Sequence, residues 1–274
     1  MNTTMYYFSG TGNSLKVAKD ISEKLGDADI VSIPRIINEE VNLSSDCIGF
    51  VFPVYVYGLP LIVSSFIKRL MIIDKNKYFF AVATCKAEKG GAILQVANEL
   101  KDKGARLSAG FSVNMPGNFI YSYEADSIDI QEEKFRLWKE KLDEMVSVVR
   151  NKENKIEQLT LVKRIFQLTI IYPMVSRLFN KWDKRFWTDN NCNGCGICQR
   201  ICPVMNIVIK NKKPAWLHKC EQCFACLNWC PRVSIQYTEK TIGKNRYHNP
   251  FVQLKDILTE GKLCDFRKDE CHYD

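Results

Sequence analysis

Eight of the 12 cysteines in this chain stand in two identical runs of the form Cys-x2-Cys-x2-Cys-x3-Cys-Pro. The first run contains Cys192, Cys195, Cys198 and Cys202, and the second contains Cys220, Cys223, Cys226 and Cys230. Gaps of two residues allow three thiolates of one tight loop to surround one face of an iron–sulfur cubane. The spacing therefore predicts that these cysteines ligate iron–sulfur clusters.

Structural zinc and disulfide bonds are the alternative uses for such cysteines. Zinc sites usually pair two Cys-x2-Cys units across a longer gap, and they do not require the third cysteine that follows at once here. A disulfide framework needs an oxidising compartment, whereas residues 1–10 lack the pattern of a secretory signal. We therefore favour clusters and expect a reducing, cytoplasmic location.

The segment from residue 190 to residue 238 resembles the two-cluster bacterial ferredoxin domain at every motif position. Between the cysteine runs, residues 211–214 predict a turn that joins two short strands. In such domains the fourth cysteine of each run ligates the other cluster. The resemblance thus implies two 4Fe–4S clusters. One would be held by Cys192, Cys195, Cys198 and Cys230, and the other by Cys220, Cys223, Cys226 and Cys202.

The first 26 residues show a second pattern that could bind a ligand. An apolar strand is followed by a loop rich in hydroxyl groups and glycine, and then by an amphipathic helix that ends at Gly26. The loop consists of Ser9, Gly10, Thr11, Gly12, Asn13 and Ser14. The free N–H groups of a helix N-terminus favour phosphate, and hydroxyls add hydrogen-bond donors. The loop matches neither a dinucleotide-binding fingerprint nor a P-loop.

Further loops follow the apolar strands predicted at residues 47–52, 78–83 and 110–113. The candidate binding residues in these loops are Pro53, Val54, Tyr55, Tyr57, Gly58, Thr84, Cys85, Gly90 and Gly91, and residues 114–119 form one more candidate loop. Because strand, loop and helix recur, we predict an α/β fold with a doubly wound parallel sheet. Ligands of such sheets bind beyond the carboxyl ends of the strands.

These loops resemble those of flavodoxin, and the resemblance covers residues 4–150. It implies that residues 9–14 bind the phosphate of FMN and that Tyr55, or failing that Tyr57, stacks on the isoalloxazine ring. Residues 84–91 would border the ring, but this loop lacks the second aromatic residue of many flavodoxins. Lys86 and Glu88 bring charge there instead, and Cys85 fits a packing role better than a flavin contact.

The chain is thus predicted to have four parts. They are a flavodoxin-like domain at residues 1–150, a helical connector at 151–189, a small α+β ferredoxin-like domain with two clusters at 190–238, and a C-terminal extension at 239–274. In the connector, an apolar stripe that Pro173 interrupts favours helices packed between the domains. An interfacial membrane helix is the alternative, because Lys and Arg residues flank the stripe.

Three residues in the C-terminal extension have side chains that could transfer a proton or bind a metal, but the sequence around them does not indicate a functional site. His248 fits a surface hydrogen-bonding residue better than a proton donor, because a lone histidine is seldom catalytic. Cys264 and Cys271 have a spacing that fits no standard metal site, so a frayed tail is the simpler interpretation.

Positive charge is concentrated in the second half of the chain, where residues 155–274 carry 20 Lys and Arg against 11 Asp and Glu. A basic ferredoxin face favours an external redox partner that is acidic, or an anionic surface, and no nucleic-acid-binding motif is present. The oligomeric state is left open.

The whole chain resembles the flavodoxin–ferredoxin fusion proteins of anaerobic prokaryotes. The resemblance implies an electron-transfer protein that links two 4Fe–4S clusters, FMN and an external redox partner. An FMN-dependent reductase of a small organic substrate is the alternative, with Tyr57, Lys86 or His248 as the proton donor. A redox sensor ranks last, because no output module is recognisable in the sequence.

Overall fold

The computed structural model describes residues 2–26, 28–87, 89–156 and 167–258. The strands of its first half are β1 (Thr3–Tyr7), β2 (Asp29–Ser32), β3 (Cys47–Pro53), β4 (Tyr78–Cys85), β5 (Leu107–Asn114) and β6 (Lys155–Ile156). The helices between them are α1 (Asn13–Leu25), α2 (Ile33–Ile36), α3 (Leu61–Arg69), α4 (Ala92–Asp102) and α5 (Ile128–Arg150). Helix α1 ends at Gly26, as predicted, because glycine adopts the left-handed conformation (φ 91°) without a Cβ clash.

The six strands form one parallel sheet in the order β2-β1-β3-β4-β5-β6. The strand order reverses between β1 and β3, which creates a crevice at the carboxyl ends of these two strands. This topology confirms the predicted doubly wound α/β fold. The sheet also continues past residue 150, since Ile156 of β6 pairs with Gly110 of β5.

Both faces of the sheet are covered, which explains why its strands are nearly continuous apolar runs. Successive residues of a strand point to opposite faces. Phe50 and Phe52 pack in one core with α3 and α4, whereas Val51 packs in a second core with α1 and α5. The two cores hold the strand ends rigidly, and these ends position the loops of the crevice.

The second half of the chain has shorter elements. Its strands are β7 (Phe186–Thr188), β8 (Ile207–Lys210), β9 (Lys213–Trp216) and β10 (Ile235–Tyr237), and its α-helices are α6 (Tyr172–Ser176), α7 (Ile197–Arg200), α8 (Ala225–Asn228) and α9 (Leu254–Ile257). Strand β7 pairs with β10 and β8 pairs with β9, both antiparallel. The turn predicted at residues 211–214 is present but shorter: Asn211 and Lys212 join β8 to β9 with φ angles of 50° and 59°, which suit a two-residue hairpin, and Lys213 and Pro214 already belong to β9.

The connector contacts both halves of the protein. The Tyr172 hydroxyl donates to the carbonyl of Leu59 in the first half (2.5 Å), and the carbonyl of Phe179 accepts from Gln222 Nε2 in the second half (3.0 Å). Pro173 lies in the first turn of α6, where its missing N–H is not needed. Opposite this packed face, Ile170, Met174 and Leu178 are exposed. Within the described parts of the chain, no helix has both the length and the apolar content needed to span a bilayer.

Several residues singled out from the sequence lie outside the described residues. They are Glu88, the first part of the connector stripe at residues 157–166, and the tail residues Cys264 and Cys271.

The packing of α3 against the sheet can be tested by comparing a buried isoleucine of this helix with an exposed one nearby. Ile67 has no exposed surface, whereas Ile73, six residues later, is 85% exposed. We expect Ile67→Ala to lower the free energy of unfolding by about 2–5 kcal/mol, because it leaves a cavity in the sheet core. The matched Ile73→Ala variant should change it by less than about 0.5 kcal/mol. Anaerobic urea titrations followed by tryptophan fluorescence would compare them, and equal effects would contradict the described packing.

Candidate functional site

A cavity of about 440 Å³ lies beyond the carboxyl ends of β1, β3, β4 and β5. Its volume is typical of a site for a small ligand or cofactor. The predicted loops contribute Ser9, Gly10, Thr11, Asn13, Ser14, Pro53, Val54, Tyr55, Tyr57, Thr84 and Cys85 to its walls. Distant loops meet here because the carboxyl ends of parallel strands lie at one edge of the sheet.

Four predicted binding residues, all glycines, do not line this cavity. Gly12 packs against the C-terminal segment, and Gly58 lies against Tyr172, whose ring would be 2.3 Å from an added Cβ. Gly90 lies behind Tyr57, and the N–H of Gly91 donates to the Tyr57 carbonyl (2.6 Å). The structure thus places these glycines behind the loops, where they allow close packing.

One end of the cavity offers hydrogen-bond donors. Helix α1 begins at Asn13, so the N–H groups of its first turn have no partner within the helix. The loop before it is closed by a hydrogen bond from the N–H of Gly12 to Ser9 Oγ (3.1 Å). Ser14 Oγ lies 2.8 Å from Thr84 Oγ1 on β4. This end has the hydroxyls and positive helix terminus that favour a phosphate.

The loop after β3 forms a tight turn at the other end of the cavity. Tyr55 and Gly58 exchange two backbone hydrogen bonds of 2.9 Å, and φ is 45° at Val56 and 69° at Tyr57. Positive φ is unfavourable for such side chains, and backbone strain of this kind is frequent at ligand sites. The turn presents the Tyr55 and Tyr57 side chains to the cavity.

Tyr55 is held firmly in this wall. Its ring packs edge-on against Phe8, with ring centroids 6.1 Å apart. Its hydroxyl is buried and has no hydrogen-bond partner among the described residues. Burial raises the pKa of Tyr55 well above its usual range, and the neighbouring Cys223 and Glu221 raise it further. The phenol is therefore neutral at physiological pH.

Aromatic side chains from other segments complete the cavity, because the loop after β4 lacks an aromatic residue. Phe119 comes from the candidate loop at residues 114–119, whereas the sequence did not indicate Tyr123, Phe179 or Trp182 as cavity residues. Phe179 and Trp182 belong to the connector, about 100 residues beyond the loop after β4. No local pattern could reveal this contribution, because only the tertiary fold brings the connector to the crevice.

The charge of Lys86 is balanced inside the wall. Its Nζ lies 3.6 Å from the centre of the Tyr123 ring and 2.9 Å from Asp126 Oδ1. Burial alone would raise the pKa of Asp126, but hydrogen bonds from Lys134 and Lys86 outweigh it and lower the pKa below its usual value. Lys86 is therefore an ion-paired wall residue. Cys85 also lines the cavity, and its Sγ lies 3.5 Å from Asn114 Oδ1.

His248, the third proton-donor candidate, lies elsewhere. Its ring stacks on the indole of Trp229, with centroids 4.1 Å apart and an angle of 13° between the planes. It is not among the residues that line the large cavity. Of the three candidates, Tyr57 and Lys86 line the cavity and His248 does not.

The eight motif cysteines surround two small cavities, which we call cage 1 and cage 2. Cage 1 is lined by Cys192, Cys195, Cys198 and Cys230, and cage 2 by Cys202, Cys220, Cys223 and Cys226. This grouping is the one that the ferredoxin resemblance implies, and ligation itself stays a prediction. Within the described residues, no three Cys, His, Asp or Glu side chains are placed to hold a single metal ion.

The two cages differ in burial. All four cysteines of cage 2 are buried, whereas three of the four in cage 1 are partly exposed. Burial raises the pKa of Cys198 in cage 1 and of Cys223 in cage 2 to about 12. The backbone N–H groups of Asn206 and Gln222 donate to the sulfurs of Cys202 and Cys220 (3.1 and 3.3 Å). Such N–H···S bonds are one way in which proteins tune clusters.

Cage 2 and the large cavity share one loop of the chain. Gln222 lines the large cavity, while Cys220 and Cys223 on either side of it line cage 2. The Cys223 carbonyl accepts from Asn118 Nδ2 (3.1 Å) and would lie 2.7 Å from a Cβ atom added at Gly10. The two sites are therefore separated by little more than this loop.

Glu221, in the same loop, joins cage 2 to the sheet domain. The N–H groups of Ile62 and Leu61 at the start of α3 donate to its carboxyl and counteract the effect of burial on its pKa. Burial nevertheless prevails and raises the pKa of Glu221 to about 7. No local sequence pattern indicates this contact, because it forms only when the two halves of the chain pack together.

Family comparisons match both halves of the chain. A model described as a flavodoxin domain matches residues 4–123, and one described as a 4Fe-4S dicluster domain matches residues 186–246. A search among curated proteins returns no significant match.

Among solved structures, similar ones include the two-electron reduced flavodoxin of Megasphaera elsdenii, with 24% identity over 41% of this chain and 85% of that chain and a TM-score of 0.36. A Fusobacterium nucleatum flavodoxin bound to flavin mononucleotide has 14% identity over 56% of this chain and 98% of that chain, with a TM-score of 0.38.

The two family matches agree with the sheet topology and with the cysteine runs described above. The chain is an electron-transfer iron–sulfur flavoprotein in which a flavodoxin domain at residues 4–123 precedes a 4Fe-4S dicluster domain at residues 186–246.

Proposed function

We propose that this protein passes electrons between an external redox partner, two 4Fe–4S clusters and one FMN. The observation that carries the proposal is the loop shared by the two sites. Gln222 faces the large cavity, and its neighbours Cys220 and Cys223 face cage 2. A chain that only stored electrons on either group would not need this proximity.

The large cavity fits FMN at both of its ends. The first turn of α1 and the hydroxyl of Ser9 would hold the phosphate, and Tyr55 and Trp182 would contact the flavin ring. When bound, FMN exchanges one or two electrons and a 4Fe–4S cluster exchanges one. The aromatic wall residues would shield part of the ring from water, and Tyr57 would be a wall residue with a hydroxyl.

The two cages fit cubanes by the chemistry of their donor sets. Each offers four cysteine sulfurs, and cage 2 adds N–H donors from Asn206 and Gln222. A buried thiol with a raised pKa becomes a thiolate only when a metal supplies positive charge. We therefore propose one cluster in each cage and, because thiolates need reducing conditions, a cytoplasmic location.

The surface around cage 1 supports an acidic redox protein as the external partner. Lys212 and Arg232 are exposed, Arg232 lines cage 1, and the Lys212 carbonyl oxygen lies 3.9 Å from Cys192 Sγ. Glu221 is the single acidic residue in the sequence from 190 to 238, and it is buried. An acidic partner would be steered to this face by long-range attraction.

Cofactor content tests the proposal directly. The protein purified without oxygen should contain about eight iron, about eight sulfide and about one FMN per chain. Cys226→Ala should reduce the iron to about four, because it removes one ligand of cage 2 only. Cys47→Ala, at a buried cysteine outside the runs, should leave it at about eight.

Other contents would refute parts of the proposal. Zinc in place of iron and sulfide would exclude the clusters, and iron without flavin would assign the large cavity to another ligand. Rapid turnover of a small organic acceptor by the reduced protein alone would favour the reductase hypothesis.

Charge reversal at cage 1 tests the partner surface. Lys212→Glu and Arg232→Glu should each slow reduction by a small acidic ferredoxin about tenfold in low salt, and the difference should shrink at high salt. Lys101→Glu changes the net charge equally at the far end of α4 and should have little effect. Stopped-flow spectroscopy gives the rates. Equal slowing by all three variants would show a net-charge effect and contradict a docking face at cage 1.

A further inference from the structure

The loop at residues 9–14 is held from outside by the opposite end of the chain. The Trp229 indole Nε1 donates to the Gly10 carbonyl (3.2 Å), and the backbone N–H of Asn249 donates to the Thr11 carbonyl (2.7 Å). The Tyr247 hydroxyl and Asn249 Nδ2 both donate to Asn13 Oδ1 (2.6 and 3.0 Å). The loop therefore has a second support besides its own helix.

Asn13 is the centre of this support. Its oxygen accepts the two hydrogen bonds from the C-terminal segment, and its Nδ2 donates to the Pro116 carbonyl in the loop after β5 (2.8 Å). Both ends of the amide are thus engaged by protein groups. We interpret Asn13 as a residue that fixes the loop, although the sequence placed it among the direct phosphate contacts.

The supporting residues have no place in the cavity itself. Tyr247 is 2% exposed and Asn249 is fully buried, and neither lines the large cavity. Gly12 leaves the room that they need, since an added Cβ would lie 2.9 Å from the Asn249 side chain. Both residues also lie beyond the two segments that the family models match, residues 4–123 and 186–246.

We propose that Tyr247 and Asn249 are positioning residues for the phosphate of FMN, an inference that rests on the proposed FMN site. Phosphate binding needs several N–H and hydroxyl groups to point at one place, and a loop that must first become ordered binds more weakly. Hydrogen bonds to Asn13 and Thr11 hold the loop in one conformation before the cofactor enters.

A comparison of FMN with riboflavin separates an effect on the phosphate-binding loop from a loss of stability in the whole protein. FMN and riboflavin share the ring and differ in the phosphate, so a loop defect should weaken FMN binding alone. Tyr247→Phe keeps the ring and removes one hydrogen bond to Asn13. It should raise the Kd for FMN about three- to tenfold and leave that for riboflavin unchanged. Asn249→Ala should have a larger effect in the same direction.

Tyr78→Phe is the matched control. It removes a hydroxyl that donates to the Glu153 carbonyl (2.7 Å), at the start of β4 and far from the loop. Both Kd values should stay at the wild-type level in this variant. Flavin fluorescence quenching would measure them on full-length protein stripped of FMN, with iron and sulfide assayed in every sample.

The outcomes separate this inference from the proposed function. If Tyr247→Phe and Asn249→Ala bind FMN as tightly as the wild type, the positioning role is wrong and the FMN site stands. If they weaken FMN and riboflavin equally, the effect is structural and the inference also fails. Wild-type protein that binds no FMN would overturn the proposed function itself.

Discussion

The architecture depends on a backbone contact between Gly10 and Cys223. A side chain at residue 10 would collide with the Cys223 carbonyl, so glycine here lets the loop of cage 2 reach the loop that opens the sheet domain. Cys223, Ala225 and Trp229 then join the hydrophobic core of the sheet domain. Cage 2 is therefore part of that domain's packing. Rigid packing of this kind fixes the distance between the large cavity and cage 2, which a flexible linker could not do.

The two cages of the cysteine-rich half differ in burial and in the charge around them. Cage 2 is enclosed by the sheet domain, and its loop carries the buried carboxyl of Glu221 against the start of α3. Cage 1 is partly open and has the exposed Lys212 and Arg232 beside it, together with the partly exposed Asp189 just before the first cysteine run. Cage 2 thus lies next to the large cavity, and cage 1 is partly open to solvent. This asymmetry arises although the two cysteine runs are identical in spacing.

The sequence was sufficient where a residue's role depends on its neighbours along the chain. The cysteine runs, the Gly26 helix end and the hairpin at Asn211 and Lys212 are local patterns, and the apolar strands led to the correct sheet class. The positions of Trp182 and Asn249 beside the site could not be predicted in this way, because each reaches the site only when distant segments of the chain pack together. Four of the glycines predicted to bind the cofactor lie behind the loops and provide room for packing, a use that the sequence pattern does not distinguish from binding.

The support at Asn13 joins residues that are 234 and 236 positions apart in the sequence. The ribosome makes the loop at residues 9–14 well before Tyr247 and Asn249, and all six strands of the sheet also precede these two residues in the sequence. The sheet can therefore form before the loop gains these hydrogen bonds. A product truncated before residue 247 would retain all six strands and lack the groups that fix the loop.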